Sequence, residues 1–251
     1  MYETNLQITS TYVGPERRLT VPWLFRIFQD AAIEDAEKIG YNASKTMSNG
    51  LLWVFSRVYV RFNAMPKYLS SVRFETHPGG KKAFLFTRYA TLFNEDGQVA
   101  AEFSSIWALI HEDTRKLEMR PNLEDANQCN GKEIPLPGKV VVAPTKLFVS
   151  RKIEYSDIDL NGHLNNVRYL EILMNLHPAE FYRDHQFKEL LIQYETEIKA
   201  GETVDVYVDE KMEYIRGVVG DRVAFETNIK YGPVEYKIAV RSPRLRHKRG
   251  P

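Results

Sequence analysis

The segment from Asp157 to Glu171, DIDLNGHLNNVRYLE, concentrates residue types that can catalyse hydrolysis. Asp159, Asn161 and His163 alternate along the chain, so in an extended segment their side chains would share one face. An apolar helix pattern follows at once, and the first N–H groups of a helix are unpaired and carry a partial positive charge. There a carboxylate or imidazole can take a proton from water, while amide and N–H donors stabilise an oxyanion. The segment therefore predicts a site that hydrolyses an activated carbonyl.

The same residues also permit a purely structural interpretation. Asp and Asn in front of a helix are common N-caps, and DLNG alone is typical of a turn. Deciding between the two interpretations requires the rest of the chain.

A repeat organises the 251 residues. Residues 119–146 hold four of the twelve prolines and little periodicity, which predicts a linker between two halves. The first half, 1–118, shows an extended segment at Leu6–Val13 and a helix opening near Pro22. Its predicted strands are LLWVFSRVYVRF, SVRFETH, KAFLFTRYATLF and QVAAEFSSIWALI, the last two joined by the hairpin signal NEDG.

The second half, 147–251, repeats this order of elements and ends in a basic tail. After KLFVSRKIEYS comes a helix from about Leu164 to Leu176, then the strands ELLIQYETEIKA, TVDVYVDEKMEYI, RVAFETNIKY and VEYKIAV. One long helix followed by antiparallel strands predicts an α+β fold in each half, with a sheet wrapped around a central helix. Two such units in one chain would form a pseudo-dimer.

Overlaying Glu16–Asp30 on Asp157–Glu171 shows that the polar residues are not part of the repeat. The overlay pairs Asp159 with Arg18, Asn161 with Thr20, and His163 with Pro22. Arg18 and Pro22 cannot do acid–base work at neutral pH, and Thr20 would need a strong base to activate it. The asymmetry favours chemistry in the second half over simple capping.

The motif Asp159-x-Asn161-x-His163-x-Asn165-Asn166-x-x-Tyr169 resembles the active-site motif of the acyl-ACP thioesterases. These double-hotdog enzymes of plants and bacteria release fatty acids from acyl carrier protein, and the likeness extends over nearly the whole chain. It implies a tandem hotdog fold and hydrolysis of acyl-ACP to free fatty acid and holo-ACP, in fatty acid biosynthesis. The 4-hydroxybenzoyl-CoA thioesterases are similar in placing an Asp before the same helix.

The resemblance also implies a second acidic residue, which falls on Glu197 in YETEIKAG, from the strand after the catalytic helix. The next position is often cysteine in the plant enzymes, but here it is Ile198. The resemblance then assigns catalysis to Asp159 and Glu197, with Asn161 and His163 completing the site. The group that takes the proton first stays open, and Glu197 also reads as a solvent-facing strand residue. The single cysteine, Cys129, lies in the predicted linker and reads as an incidental surface thiol.

The acyl chain needs an apolar tunnel, which the resemblance places in the aromatic-rich first half. Trp53, Phe55 and Phe28 are the candidate contacts, although aromatics of this kind are equally typical of a core. Asn165 is a further candidate at the binding site, and with Asn166 and Tyr169 it also fits a role in supporting the helix start.

Composition and charge exclude several other classes. A formal charge of +1 argues against a nucleic-acid partner, and no apolar run reaches membrane-spanning length. One cysteine and an N-terminus without a targeting pattern indicate a cytoplasmic protein. No phosphate loop, zinc spacing or dinucleotide fingerprint is present, so we expect no cofactor and no metal. The expected partner is acyl carrier protein, which is acidic. Candidate docking residues are Arg17–Arg18, Lys81–Lys82, Arg151–Lys152 and the tail RSPRLRHKRGP.

Three functions remain in competition. The first is an acyl-ACP thioesterase of bacterial type. The alternatives are an acyl-CoA thioesterase on the same fold and a non-catalytic acyl-binding hotdog protein, with a dehydratase expected to carry a different His/Asp arrangement. Chain-length preference and oligomeric state stay open, a homodimer being one candidate.

Overall fold

A computed structural model describes residues 1–39, 43–120 and 131–234, with side chains left out at 43–45. The first half contains β1 (Tyr2–Gln7), a short 3-10 helix (Ser10–Tyr12), α1 (Val21–Lys38) and α2 (Ala43–Ser48). Its remaining strands are β2 (Leu51–Phe62), β3 (Ser71–Lys82), β4 (Leu85–Phe93) and β5 (Val99–His111).

The second half contains β6 (Lys146–Lys152), a 3-10 helix (Tyr155–Asp157), α3 (Asn166–Met174) and α4 (Phe181–Asp184). The strands β7 (His185–Tyr194), β8 (Thr203–Val208), β9 (Tyr214–Val219) and β10 (Arg222–Pro233) follow. The predicted strand TVDVYVDEKMEYI is wrong as a single element. It is a hairpin, because the chain reverses between β8 and β9, where Asp209 accepts hydrogen bonds from the N–H groups of Glu213 and Tyr214.

The strands of both halves form one antiparallel sheet with a mirrored order. The order is β1-β3-β4-β5-β2-β7-β10-β9-β8-β6, so β1 and β6 are the two edges and β2 pairs with β7 at the centre. The sheet curves around α1 and α3, which pack against each other, and one apolar core includes residues from both halves. This is the predicted α+β architecture, with the strands of each half wrapped around a helix and the two halves joined into one sheet through β2 and β7.

Sequence patterns account for the main elements. Pro22 lies in the first turn of α1, where its missing N–H costs no hydrogen bond, and Leu24, Phe28 and Ala31 bury one face of the helix. The NEDG hairpin forms as predicted. Asn94 accepts from two N–H groups of the turn, and Gly97 has a φ of 73°.

The described part of the linker crosses the sheet without helix or strand. Ile134 is buried, and the Pro135 carbonyl accepts a hydrogen bond from Ser104 at 2.6 Å. Asn228 on β10 exchanges two hydrogen bonds with the backbone of Val141. Cys129, the strand VEYKIAV beyond Val234 and the basic tail lie outside the described residues. Within the described residues, no helix is long and apolar enough to span a membrane.

The loop before α1 and the loop before α3 correspond with an offset of 145 residues. The bridges Val13–Leu19 and Ile158–Leu164 match at this offset, as do the helix starts at Val21 and Asn166. The overlay predicted from sequence used an offset of 141 and is wrong by four residues. Four residues are about one helical turn, so a shift of this size leaves the apolar face of a helix in place and the pattern cannot reveal it.

Candidate active site

The residues Asp159 to His163 form a tight turn, not the extended segment predicted. The Asp159 N–H donates to the His163 carbonyl at 2.9 Å, and the Gly162 N–H donates to the Asp159 carbonyl at 3.0 Å. Gly162 has a φ of 79°, which glycine adopts without steric cost. The Asn161 N–H donates to Asp159 Oδ1 at 2.8 Å, because short polar side chains favour such local turns over extended backbone.

Helix α3 begins directly after this turn. Asn165 is its N-cap, and its side-chain oxygen accepts from the Val167 N–H at 3.0 Å, as the structural interpretation of the motif predicted. The N–H of Asn166, the first residue of the helix, has no acceptor among the residues that the structure describes. Asp159 in the turn and Asn166 at the helix start both line the cavity described next.

An apolar cavity of about 380 Å³ opens at this point, between α1, β2, β4 and the turn. Its wall combines residues of both halves. It includes Ala32, Ile33, Ala36, Leu52, Trp53, Phe55, Phe86, Trp107, Asp159, Leu160, Asn161, Asn165 and Asn166. Trp53, Phe55 and Asn165 line this wall, and their contact with an acyl chain stays a prediction. Phe28 does not line this wall: its side chain is fully buried behind it, 6.0 Å from the ring of Phe55.

A buried ion pair closes one side of the cavity. Arg88 lines the wall and donates to Asp35 at 2.6 Å and to Thr76 at 3.2 Å. Burial lowers the pKa of Arg88, and the charge of Asp35 opposes that effect. Because each charge neutralises the other, this pair presents no net charge to the cavity.

Glu197 lies three residues beyond the end of β7, in a loop and not on the strand predicted. Its Oε2 is 3.2 Å from His163 Nε2, and the backbone of His163 bridges to Lys199 in the same loop. The chain leaves the sheet here because Glu195 and Thr196 turn their N–H groups to the Ala224 carbonyl. The structure therefore brings His163 and Glu197 together, and their catalytic roles stay predictions.

Arg115 joins this pair from the first half, and it was not among the residues predicted from the sequence. Its Nε donates to Glu197 Oε2 at 2.9 Å, its Nη2 contacts Glu197 Oε1, and Nη2 lies 3.3 Å from His163 Nδ1. The residue is 82 positions from Glu197 and sits in an unremarkable stretch, HEDTRKLEM, so no local pattern could have pointed to it.

The candidate residues fall into two groups. Asp159 and Asn161 line the cavity, whereas His163 and Glu197 are not part of its wall and contact Arg115 instead. Asp159 and His163 are linked through the backbone of the turn. The site thus has two parts, which are the Asp159 carboxylate on the cavity wall and, outside that wall, the cluster of His163, Glu197 and Arg115.

Tyr169 packs beneath the site. It is buried, and its ring makes edge-to-face contacts with Tyr194 and Phe225 at 5.2 Å. Burial raises the pKa of Tyr169 far above its ordinary value, and the charges of Glu197 and Asp159 add to the shift. The hydroxyl therefore stays protonated at neutral pH, as suits a supporting role.

A smaller cavity of about 230 Å³ lies at the corresponding place beside the first-half loop. Its wall includes Glu16, Arg18, Met65, Met174, His177 and Tyr182. Among the described residues, no cluster of three or more His, Cys, Asp or Glu side chains has a geometry that could hold a metal ion.

Each half of the chain matches a separate domain of one known protein family. Residues 1–123 match the acyl-ACP thioesterase N-terminal domain, and residues 145–236 match the acyl-ACP thioesterase C-terminal domain. The oleoyl-acyl carrier protein thioesterase 2 of Arabidopsis thaliana is 23% identical over 233 residues, which are 81% of this chain and 61% of that protein. The dodecanoyl-[acyl-carrier-protein] hydrolase of Cinnamomum camphora is 22% identical over 219 residues, 78% of this chain and 56% of that protein. The chain thus spans little more than half the length of these relatives.

Solved structures confirm the tandem hotdog fold. An acyl-ACP thioesterase from Bacteroides thetaiotaomicron superposes with a TM-score of 0.84 at 22% identity, covering 92% of this chain and 97% of that one. The 12:0-ACP thioesterase from Umbellularia californica gives a TM-score of 0.78 at 18% identity, with the same coverage. With both of its halves matched in order, the chain belongs to the acyl-ACP thioesterase family.

Proposed function

We propose that this protein hydrolyses the thioester of acyl-acyl carrier protein to a free fatty acid and holo-ACP. The observation that carries the proposal is that Asp159 lines an apolar cavity together with Asn166, whose N–H has no acceptor among the described residues. Family membership and the names of the relatives supply the substrate class. The proposal includes a role in fatty acid synthesis.

The acyl chain would occupy the cavity of about 380 Å³, a volume within the usual range for ligand sites. Trp53 and Phe55 would contact it, and their rings are held by neighbours. Trp53 lies edge-on to Phe86 at 4.8 Å, and Phe55 lies 3.8 Å from Trp107. Phe28 would act indirectly, by fixing Phe55 from behind.

Asp159 would act as the general base. It takes a proton from water as the water oxygen attacks the thioester carbonyl, and the Asn166 N–H and Asn161 amide stabilise the oxyanion. When the tetrahedral intermediate collapses, the C–S bond breaks and the protonated Asp159 returns its proton to the leaving thiolate. That transfer is downhill, because the ordinary pKa of a thiol lies between about four and five units above that of a carboxylic acid.

His163 and Glu197 would support this chemistry from the side of the turn. The His163 carbonyl accepts from the Asp159 N–H, so fixing the imidazole also fixes the backbone that carries the base. Asn165 would hold the start of α3 and contribute to the cavity wall.

The carrier protein would dock near the cavity mouth. Of the basic candidates, Lys81–Lys82 follow Pro78 and Gly80, which line the cavity, whereas Arg151 is paired with Asp157 at 2.7 Å. Arg18 donates to the Tyr182 carbonyl beside the smaller cavity. We therefore favour Lys81–Lys82, and reversing the charge of Lys82 should slow association and reduce its salt dependence. Unchanged salt dependence would remove this pair from consideration.

A cytoplasmic location and a homodimeric assembly stay predictions from the sequence. Size-exclusion chromatography with light scattering would measure the second of them directly.

Thiol release from matched acyl-ACP and acyl-CoA panels, from medium to long chains, tests the function. We expect fast release from the ACP esters with an optimum in chain length. Release from CoA esters alone would support the proposed site but would make acyl-CoA, and not acyl-ACP, the substrate. Acyl binding without release from either panel would identify a non-catalytic acyl-binding protein and contradict the proposal.

A further inference from the structure

Arg115 is the one cation whose side chain reaches both His163 and Glu197 among the described residues. It projects from the turn after β5, where its N–H donates to the His111 carbonyl at 2.9 Å and the His111 N–H donates to the Lys116 carbonyl at 2.8 Å. Its φ of 55° lies in the left-handed region, which is unfavourable for a residue with a Cβ. Strain of this kind persists where surrounding contacts fix the side chain.

The contacts define which ring nitrogen of His163 carries the proton. A guanidinium can only donate hydrogen bonds, so Nδ1, 3.3 Å from Arg115 Nη2, is the acceptor. The proton then lies on Nε2, which faces the Glu197 carboxylate at 3.2 Å. Both ring nitrogens are therefore engaged, and neither offers a free lone pair to a water molecule.

Arg115 also holds Glu197 with two parallel contacts, through Nε and Nη2. Such a fork fixes the plane of the carboxylate as well as its position. The side chains of Arg115 and Glu197 are each about one-third exposed, and that of His163 is 15% exposed. The hydrogen bonds among Arg115, Glu197 and His163 therefore fix these side chains more than burial does.

We infer that Arg115 is a positioning residue, which locks His163 as the Nε2–H tautomer against Glu197 and thereby leaves Asp159 as the base. The inference rests on the proposed function. His163 is withdrawn from proton transfer and serves to hold the turn that carries Asp159. The first half thus contributes to catalysis through a side chain as well as through the cavity wall.

Three variants separate this role from its alternatives. Arg115→Met removes the fork and the charge, and Arg115→Lys keeps the charge without the fork. Lys116→Met removes a neighbouring exposed charge from the same turn and serves as the matched control. On an acyl-ACP substrate we expect kcat of Arg115→Met to fall about 10- to 100-fold with KM nearly unchanged, because small displacements of a reacting group have effects of this size.

The variants carry further readouts. Arg115→Lys should recover only part of kcat, and added guanidinium should partly rescue Arg115→Met. Lys116→Met should behave as wild type. A rise in KM with kcat intact, lost at high salt, would show that Arg115 docks the carrier and would overturn the inference. So would a wild-type kcat in Arg115→Met.

The tautomer is measurable without any activity. In ¹⁵N-histidine spectra, His163, assigned by its loss in His163→Gln, should show a protonated Nε2 and an unprotonated Nδ1. Arg115→Met should give a mixture of tautomers. A wild-type His163 protonated at Nδ1 would overturn the inference even in an active enzyme. If the tautomer is as inferred but no thioester is cleaved, the proposed function fails and the geometry stands.

Discussion

The loops before α1 and before α3 share the same backbone hydrogen bonds but carry different side chains. In each, a bridge closes the turn, which is Val13–Leu19 in the first and Ile158–Leu164 in the second. The Gly14 N–H donates to the Arg18 carbonyl at 3.1 Å, as the Asp159 N–H does to His163 at 2.9 Å. The repeat thus fixes the geometry of the turn without deciding what it does.

The side chains at equivalent positions differ throughout. Asp159, Asn161 and His163 correspond to Gly14, Glu16 and Arg18, and Glu197 corresponds to Met65. The first loop therefore lacks a carboxylate at the position of the proposed base. The restriction of the proposed catalysis to one half therefore follows from these substitutions and not from a different fold.

The starts of the two helices show the same divergence. Asn165 caps α3 by accepting from the Val167 N–H, whereas Thr20 makes no side-chain cap on α1. The equivalent of Val167 is Pro22, which has no N–H to cap. The cavities differ likewise, at about 380 Å³ beside the second loop and about 230 Å³ beside the first.

Replacing Asp159 should give the largest effect. In Asp159→Asn the side-chain oxygen still accepts from the Asn161 N–H, so the turn survives while the base is lost. We expect kcat to fall about 10³-fold, within the range for general-base catalysis, with little change in KM. Steady-state kinetics on an acyl-ACP measures both. The control Asp157→Asn breaks the ion pair with Arg151 and should lower stability more than kcat; near-normal turnover in Asp159→Asn would sink the assignment.

Replacing Glu197 should have a smaller effect, because it acts through His163. Glu197→Gln keeps the shape but loses the charge that faces Arg115 and the imidazole. We expect kcat to fall about 10²-fold. Glu197→Met introduces the residue type of the equivalent position in the first half, Met65, and should lower kcat at least as much. The control Glu202→Gln removes an acidic residue from an exposed pair with Arg222. A loss in Glu197→Gln equal to that in Asp159→Asn would indicate that both carboxylates transfer protons.

Filling the larger cavity should change selectivity and leave the chemistry intact. Ala36 on α1 lines this cavity, and Ala36→Leu should move the optimum to shorter acyl chains, with roughly tenfold discrimination against the longest. The matched control is Ala179→Leu, which narrows the smaller cavity and should leave the chain-length profile unchanged. Competition between acyl-ACPs of different length measures the ratio. If the two variants shifted the profile equally, the acyl chain would not be confined to the larger cavity.

The sequence was informative where a local pattern specifies the structure. The strand LLWVFSRVYVRF was predicted at the bounds of β2, and the Asn165 cap and the NEDG hairpin formed as their residue types indicate. Of the residues on the cavity wall, Trp53 and Phe55 were named as candidates from the family resemblance, whereas Phe28 was named and lies behind the wall.

Sequence patterns failed where long-range contacts decide. Arg115 joins the site because β5 ends beside the Glu197 loop, which depends on the pairing of β2 with both β5 and β7. The extended form expected at Asp159 lost to local hydrogen bonds within the turn. The register between the halves was invisible because an amphipathic helix repeats its pattern after one turn.

The smallest expected effect concerns His177, at the wall of the smaller cavity. Burial lowers the pKa of His177 from its ordinary value of 6.5, and the charge of His185 adds to the shift. Its ring stacks on Phe181 at 3.9 Å, and Nε2 is buried without a partner among the described residues. The unfolded chain then binds this proton more readily than the folded protein, so stability should fall as the pH drops below about 6.5.

Thermal unfolding between pH 7.5 and 5 measures this contribution, with those limits chosen to span roughly the ordinary histidine range. His177→Gln should flatten part of the acid-side loss in Tm. His185→Gln, which removes the repelling charge, should give an intermediate slope. Neither variant should change kcat on acyl-ACP. The smaller cavity is lined by Gly14 at the position equivalent to Asp159, so it has no carboxylate that could act as the base. A fall in kcat would indicate that the first loop also takes part in catalysis, contrary to the difference proposed between the two loops.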